Sequence, residues 1–253
     1  MKKFVKQILL IVILLTSFYY TGKMNDLIIK KTKLMEDINN DREEYDILSV
    51  DAVIENDYII PGINGKSVNV IKSYDNMKEL NVFNEEYLKY DVSIPRVSLN
   101  NNKSKIVKYG NSSKNQIAIL VGNNLDIIKF SDEYNISISR LIDYNTFDKN
   151  NRYEQINNDF INYDNVEKML NNNRMNTNIC VVNVNNLDFC KDNNKYLVEA
   201  TIILKNNNIA KIKNSINSGY YVNLIDYKLL IRQIYYQNLN IVPLSKLISE
   251  DID

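Results

Sequence analysis

The stretch IAILVGNNLDIIKFSDEYNISISRLI, residues 117–142, reads as strand, helix, strand. IAILV (117–121) is a short apolar run of the kind a fully buried strand shows. LDIIKFSDEYN (125–135) carries its apolar residues at helical spacing, and ISISRLI (136–142) is strand-like again. The alternation continues downstream. VEKMLNN (166–172) reads as helix, NICVVNV (178–184) as strand and LDFCKDN (187–193) as a short helix. YLVEATIIL (196–204) reads as one strand, IAKIKNSI (209–216) as a helix ended near Gly219, and YYVNLI (220–225) as a strand. YKLLIRQIYYQNL (227–239) and IVPLSKLISED close the chain. Repeated βα units predict an α/β fold with a parallel sheet or barrel, helices outside, and any site at the C-terminal ends of the strands. No G-x-G-x-x-G follows any strand, so the sequence lends no support to an open dinucleotide-binding sheet.

Composition narrows the chemistry. The 253 residues allow one good-sized domain plus appendages. Lys+Arg and Asp+Glu both number 31, and no basic stripe interleaved with aromatics is visible, so nucleic acid is not an expected partner. There is no histidine. That absence excludes a Ser-His-Asp or Cys-His triad and any His-containing zinc site. Two cysteines cannot build a Cys-only tetrahedral site either. Asparagine is abundant but scattered between apolar blocks, which reads as codon bias rather than a prion-like tract.

The N-terminus has its own pattern. Lys2, Lys3 and Lys6 precede an uncharged run from Gln7 to Gly22. The run lacks a small-x-small cleavage site and ends in Phe18-Tyr19-Tyr20, which suits a membrane interface. Residues 1–22 are therefore expected to form an uncleaved signal anchor, a single transmembrane helix, with a cleaved signal peptide as the alternative; both put the rest of the chain outside the cytoplasm. Residues 23–50 place Leu27, Leu34 and Ile38 on one side of a charged helix, read as a stalk. Residues 51–113 are turn-rich, with Pro61-Gly62, Asn64-Gly65 and a proline at 95, and read as a small irregular lead-in subdomain. Asn64-Gly65 is a hairpin-turn signal. Residues 114–253 form the main βα domain. Cys180 and Cys190 fall in a strand and the helix after it; they read either as a disulfide or as two separate buried thiols.

Several segments together carry a family resemblance. PGINGKSVNVIKSYDNMK (61–78), FN (83–84), SIPRVSL (93–99) and YGN (109–111) resemble the lead-in of polysaccharide deacetylase-like proteins of low-GC Gram-positive bacteria. These are the NodB-homology proteins of carbohydrate esterase family 4. The apolar first strand, the spacing of the two cysteines and the closing YKLLIRQIYYQNLN…IVPLSKLISE are similar as well. The resemblance implies a distorted (β/α) barrel acting on cell-envelope glycans. Active members hold a divalent metal, usually zinc, with an Asp and two His, and use a further Asp as base and a further His as acid.

Transferred residue by residue, that machinery is missing. The T-F-D-D-G motif falls on residues 120–124, so Gly122 stands at the base and Asn123 at the metal Asp. The H-E-I-G-N-H-T-x-x-H motif overlays residues 153–162, so Asn158 and Asn162 stand at the metal histidines. The family zinc site is expected to be lost, with no cofactor and no catalytic residue. The expectation is a membrane-anchored, catalytically inactive deacetylase-like protein that binds or scaffolds envelope polysaccharide or peptidoglycan. Tyr153, Glu154 and Asp159 are its candidate glycan contacts. Two alternatives stand beside it. One is a hydrolase using carboxylates alone, drawn from Asp143, Asp148, Glu154, Asp159 and Asp164. The other is a purely structural ectodomain of an envelope complex, with an unnamed protein partner.

Overall fold

A computed structural model describes residues 2–29, 32–175, 178–183, 185–200, 202–203, 216–218 and 224–252. Its contacts divide the chain into two units: residues 1–48 with 65–93, and residues 49–64 with 94–253. The segment read as one lead-in, 51–113, is thus shared between them.

The first unit begins with α1 (Lys2–Ile29) and α2 (Lys33–Tyr45). In α1, Leu10 to Leu15 and Phe18, Tyr19 and Tyr20 are exposed. Among the described residues no helix is long and apolar enough to cross a membrane. Residues 2–22 lie within α1, but the described residues give no support to the spanning role expected of them. Helix α2 starts where the Thr32 hydroxyl accepts the Met35 N–H at 3.3 Å. The residues read as a stalk do not stand alone: Leu34 and Ile38 pack against Val68, Met77 and Leu88.

The second unit opens with β1 (Val53–Glu55) and β2 (Tyr58–Ile60), an antiparallel hairpin. Its turn is Asn56-Asp57, with Asn56 at φ 54°. Asn64-Gly65 makes no such turn, because Gly65 instead begins β3 (Gly65–Val68) of the first unit. There β3 pairs antiparallel with β4 (Tyr90–Ser93) across α3 (Val70–Met77).

The βα series follows in the second unit. After β5 (Ile106–Val107) come β6 (Gln116–Val121), α4 (Leu125–Glu133), β7 (Ser139–Ile142), β8 (Glu154–Asn157) and α5 (Tyr163–Asn172). Next are β9 (Ile179–Val181), α6 (Leu187–Asp192), β10 (Tyr196–Val198), β11 (Ile202–Ile203) and β12 (Ile216–Ser218). The chain ends in α7 (Leu224–Tyr236), β13 (Asn240–Ile241) and α8 (Leu244–Ile248). One sheet has the order β11-β12-β6-β7-β8, with β13 added to the start of β6; the other runs β1-β2-β5-β10-β9. All these pairings are parallel except β1 with β2. Among the described residues no ladder joins β8 to β9 or β10 to β11, so the ring of strands is not continuously hydrogen-bonded.

Strand β6 explains the packing. All six of its residues are buried, and they alternate between two cores. Ala118 and Leu120 face a cluster shared by both sheets, with Leu141, Ile156, Ile179, Val198 and the α8 leucines Leu244 and Leu247. Ile117, Ile119 and Val121 face Ile127, Tyr227, Leu230 and Ile234 of α4 and α7. Tyr227 and Ser131 pair their hydroxyls at 2.8 Å between those helices. Burial pushes the Tyr227 phenol up to about 12, with the Ser131 bond pulling the other way.

Three expected elements change. YLVEATIIL is divided, because β10 joins one sheet and β11 the other. Of the helix expected over 209–216, only Ile216 is among the described residues, and it belongs to β12 instead, beside Ala118 of β6. Residues 220–223 of the next expected strand lie outside the described residues, while Leu224 and Ile225 open α7.

Candidate functional site

The parallel strands point their C-terminal ends one way, and that end collects the loops after β6, β7, β8 and β9. Gly122 follows β6 and is buried; Asn123 beside it is exposed. Asn124 then caps α4, its side chain accepting the Ile127 N–H at 3.2 Å. Asn158 follows β8, half-buried, and its N–H donates to the Ile142 carbonyl at 2.8 Å. Asn162 is the exposed residue at the start of α5. Of the positions matched to the lost motifs, Gly122 and Asn123 follow β6, Asn158 follows β8 and Asn162 begins α5.

Asp159 organises this end. Its carboxylate accepts the N–H groups of Ile161 at 3.1 Å and Asn162 at 2.9 Å, the Asn162 side-chain amide at 3.2 Å, and the Tyr144 N–H at 3.0 Å. Tyr144 belongs to the loop after β7, so one carboxylate ties two loops together. The backbone donors of Asn162 and then Tyr144 hold its pKa below the ordinary 3.8. The tied loops carry Ile161, 94% exposed, and Tyr144, 48% exposed. Phe189 of α6 is edge-on to Phe160 and Tyr163 close by. Sequence reasoning passed over Tyr144, Ile161 and Phe189; the available signal was apolar residues inside a polar segment that also holds the motif positions.

Tyr153 and Glu154 sit elsewhere. They stand at the N-terminal end of β8, about 13 Å (Glu154) and 17 Å (Tyr153) along the chain from Asn158 at strand rise. The Tyr153 hydroxyl donates to Asp132 of α4 at 2.8 Å and receives Arg152 at 2.7 Å. Glu154 receives the Ser139 hydroxyl at 2.7 Å and the Ser245 N–H at 3.3 Å, so it anchors α8 under the sheet. Among the three candidate glycan contacts, only Asp159 shares the end that holds Asn158 and Asn162.

The remaining carboxylates serve their own loops. Asp143 accepts from Asn145, from the Thr146 N–H and from the Thr146 hydroxyl, each at 2.9 Å. Asp148 accepts the Asn150 N–H at 2.9 Å. Asp164 lies in the first turn of α5, where an acid complements the helix dipole. Glu154 stands at the start of β8, and Asp159 follows its far end.

Zinc does not fit the residues present. Its ligands are imidazole, thiolate or carboxylate, and the four positions offer a glycine and three amides. Asn162 already spends its amide on Asp159. Cys180 and Cys190 are joined as a disulfide linking β9 to α6. Among the described residues no three acidic, thiol or imidazole side chains gather as a metal ion would need. No step through a metal follows from this chain.

No family model matches the sequence, and no curated protein matches it. Solved structures do. The wild-type protein BA3943, a CE4 family pseudoenzyme from Bacillus anthracis, matches with a TM-score of 0.57 at 14% identity, over 87% of this chain and 96% of that one. A BA3943 mutant with restored enzymatic activity matches at TM-score 0.58 and 15% identity, over 87% and 99%. A further BA3943 mutant matches at 0.59 and 15%, over 87% and 98%. At such identities the likeness establishes architecture: the chain has the fold of a carbohydrate esterase family 4 pseudoenzyme.

Proposed function

We propose that this chain is a catalytically inactive polysaccharide deacetylase-like protein whose strand C-terminal end binds a cell-envelope glycan. The observation that carries the reading is the pairing of a fold shared with a CE4 pseudoenzyme with Gly122 and Asn123 after β6, Asn158 after β8 and Asn162 at the start of α5. The three asparagines keep amide donors and acceptors, while all four positions lack metal ligands and a general base. The loops braced by Asp159 add an exposed tyrosine ring, Tyr144, and amides suited to sugar hydroxyls. In this reading Tyr144 and Asn158 are the contacts, while Asp159 holds the loops in place. Attachment to a membrane, with the βα domain outside the cytoplasm, belongs to the same proposal. It rests on Lys2, Lys3 and Lys6 preceding an uncharged run, and on the exposed apolar faces of α1.

The test is a paired assay on the full chain in detergent. Acetate release from N-acetylated glycan and bound metal are measured together with glycan binding. The expected result is saturable binding that weakens in Tyr144→Ala and Asn158→Ala, with neither metal nor acetate release. Acetate release with about one equivalent of metal would overturn it. Membrane attachment is tested by fractionating cells that express the full chain or a chain lacking residues 1–22. Equal recovery of both in the soluble fraction would remove that part of the proposal.

A further inference from the structure

A groove opens in the first unit, between the C-terminal end of α2 and the segment that follows α3. It has a volume of about 540 Å³ and is lined by Tyr45, Leu80, Val82, Phe83, Asn84 and Glu85. Tyr45 and Phe83 are half-buried, with ring centres 6.3 Å apart, and rest on the cluster built around Ile38 and Met77. Leu80 and Val82 stand beside them, 57% and 65% exposed. Asn84 fixes the far wall: its side chain accepts the Glu86 N–H at 2.9 Å and starts the helical turn Glu85–Tyr87. Exposed apolar side chains gathered at a concave apolar surface mark a place where another surface docks.

Charge chooses the occupant. The Tyr45 hydroxyl donates to Glu85 Oε2 at 3.1 Å. Asp41 and Glu44 belong to the last turns of α2 beside Tyr45, Asp41 on the same helix face. Burial first, then the Glu85 bond and the charges of Glu85, Glu44 and Asp41, raise the Tyr45 pKa above its ordinary 10.0. Among the described residues none of these three carboxylates has an ion pair. The lysines of this unit are engaged elsewhere: Lys78 holds Asp75 at 2.9 Å, Lys72 holds Asp91 at 3.0 Å, and Lys66 lies 4.8 Å from the Tyr90 ring centre. Arg42 is the basic residue of the last turn of α2, against Asp41, Glu43, Glu44 and Glu85. The groove is therefore apolar with an acidic rim. Nucleic acid and anionic headgroups are repelled there, and a bare cation leaves Leu80 and Val82 uncovered. We propose that this groove docks a segment of a partner protein in which lysine or arginine alternates with apolar side chains.

The experiment titrates the full chain, in a neutral detergent, with a fluorescein-labelled peptide of alternating leucine and lysine, read by anisotropy. Expected is saturable binding that weakens as salt is raised. Val82→Asp, at an exposed position, should weaken it about tenfold or more while the melting temperature is kept. Glu44→Lys with Glu85→Lys should do the same by reversing the rim. A peptide with glutamate in place of lysine, and one with serine in place of leucine, should not bind. Asn158→Ala, in the second unit, should leave the binding unchanged, which separates this surface from the site under Proposed function. No binding, binding that survives Val82→Asp, or equal binding of either control peptide would overturn the inference. So would self-association of the peptide-free chain that Val82→Asp abolishes, since a second copy would then be the occupant.

Discussion

Asp159 Oδ2 accepts the Tyr144 N–H at 3.0 Å, so the loop after β7 and the loop before α5 share one carboxylate. The same group accepts the Ile161 and Asn162 N–H groups. It is acceptor-only while ionised, and protonation removes part of that capacity. The arrangement of the candidate glycan surface therefore depends on one ionisable group.

That dependence gives a pH prediction. The Asp159 pKa lies below its ordinary value in the folded chain, because backbone donors favour the charged form. A depressed folded pKa adds stability that is fully present above the ordinary value and is lost as pH falls through the depressed one. Asp159→Asn should therefore lower the melting temperature at pH 7, and the gap from wild type should narrow at pH 2 to 3. Melting curves across this range check it. A gap that stays constant with pH would show that the Asp159 charge is not what braces the loops.

At the other end of the strands, Ser139 donates to Glu154 at 2.7 Å and accepts the Leu244 N–H at 2.9 Å, all beneath the shared core. Ser139 is fully buried. Ser139→Ala leaves a buried N–H and a carboxylate short of partners, at a cost of about 1–3 kcal/mol. Urea unfolding should show that loss while glycan binding at the Asn158 end is unchanged in the folded variant. A matching loss of glycan affinity would place Glu154 and Ser139 in the binding machinery after all.

The four motif positions can be tested by rebuilding them. Gly122→Asp, Asn123→Asp, Asn158→His and Asn162→His together restore an aspartate–histidine ligand set and a base. Gly122 does not have a positive φ, so its backbone conformation is one that residues with a side chain also adopt. The combined variant should take up about one equivalent of zinc by elemental analysis, and the unaltered chain none. A folded variant that takes up no zinc would show that these positions do not converge at the strand ends.

Legibility in the sequence followed burial pattern. IAILV announced β6 because a strand buried on both faces is apolar throughout, and LDIIKFSDE announced α4 by its period. Strand β8 was not announced: EQIN is polar, yet Gln155 and Asn157 are buried because their amides bond Asp148 and Tyr163 rather than water. That hidden strand also decided the site. Once β8 begins at Glu154, Tyr153 and Glu154 belong to its start and Asn158 and Asp159 to its end, a distinction no local pattern carries. YLVEATIIL shows the same limit, since pairing with different neighbours divides one apolar run between two sheets.

Pro61-Gly62 reads in sequence as turn chemistry, but Gly62 serves close approach. A Cβ there would strike the Val50 carbonyl oxygen and lie 2.9 Å from the Ala52 nitrogen. Both are backbone atoms and cannot swing aside. Val50 is fixed by paired bonds with Ile63 at 2.8 and 2.9 Å. Gly62→Ala should therefore cost about 3 kcal/mol, the upper end for overpacking a well-filled site. Gly110→Ala should cost less, since its Cβ would meet chiefly the movable Leu247 side chain, at 2.7 Å. Chemical denaturation of the two variants gives the order, and a milder Gly62 variant would mean that this backbone yields.

The disulfide between Cys180 and Cys190 closes a loop of 10 residues between β9 and α6. Both cysteines are fully buried, in a cluster with Ile106, Val182 and Leu197. The bond restricts the unfolded chain, and for so short a loop that contributes about 2–3 kcal/mol. The double variant Cys180→Ala, Cys190→Ala removes the bond and also a small apolar volume, so it should lose at least that much. Reducing the wild-type chain isolates the bond itself, because the thiols remain to fill the space. Unfolding in urea with and without reductant should shift the wild-type midpoint and leave that of the double variant unmoved. A wild-type midpoint indifferent to reductant, with thiol titration showing the bond broken, would mean that the buried packing alone holds β9 to α6.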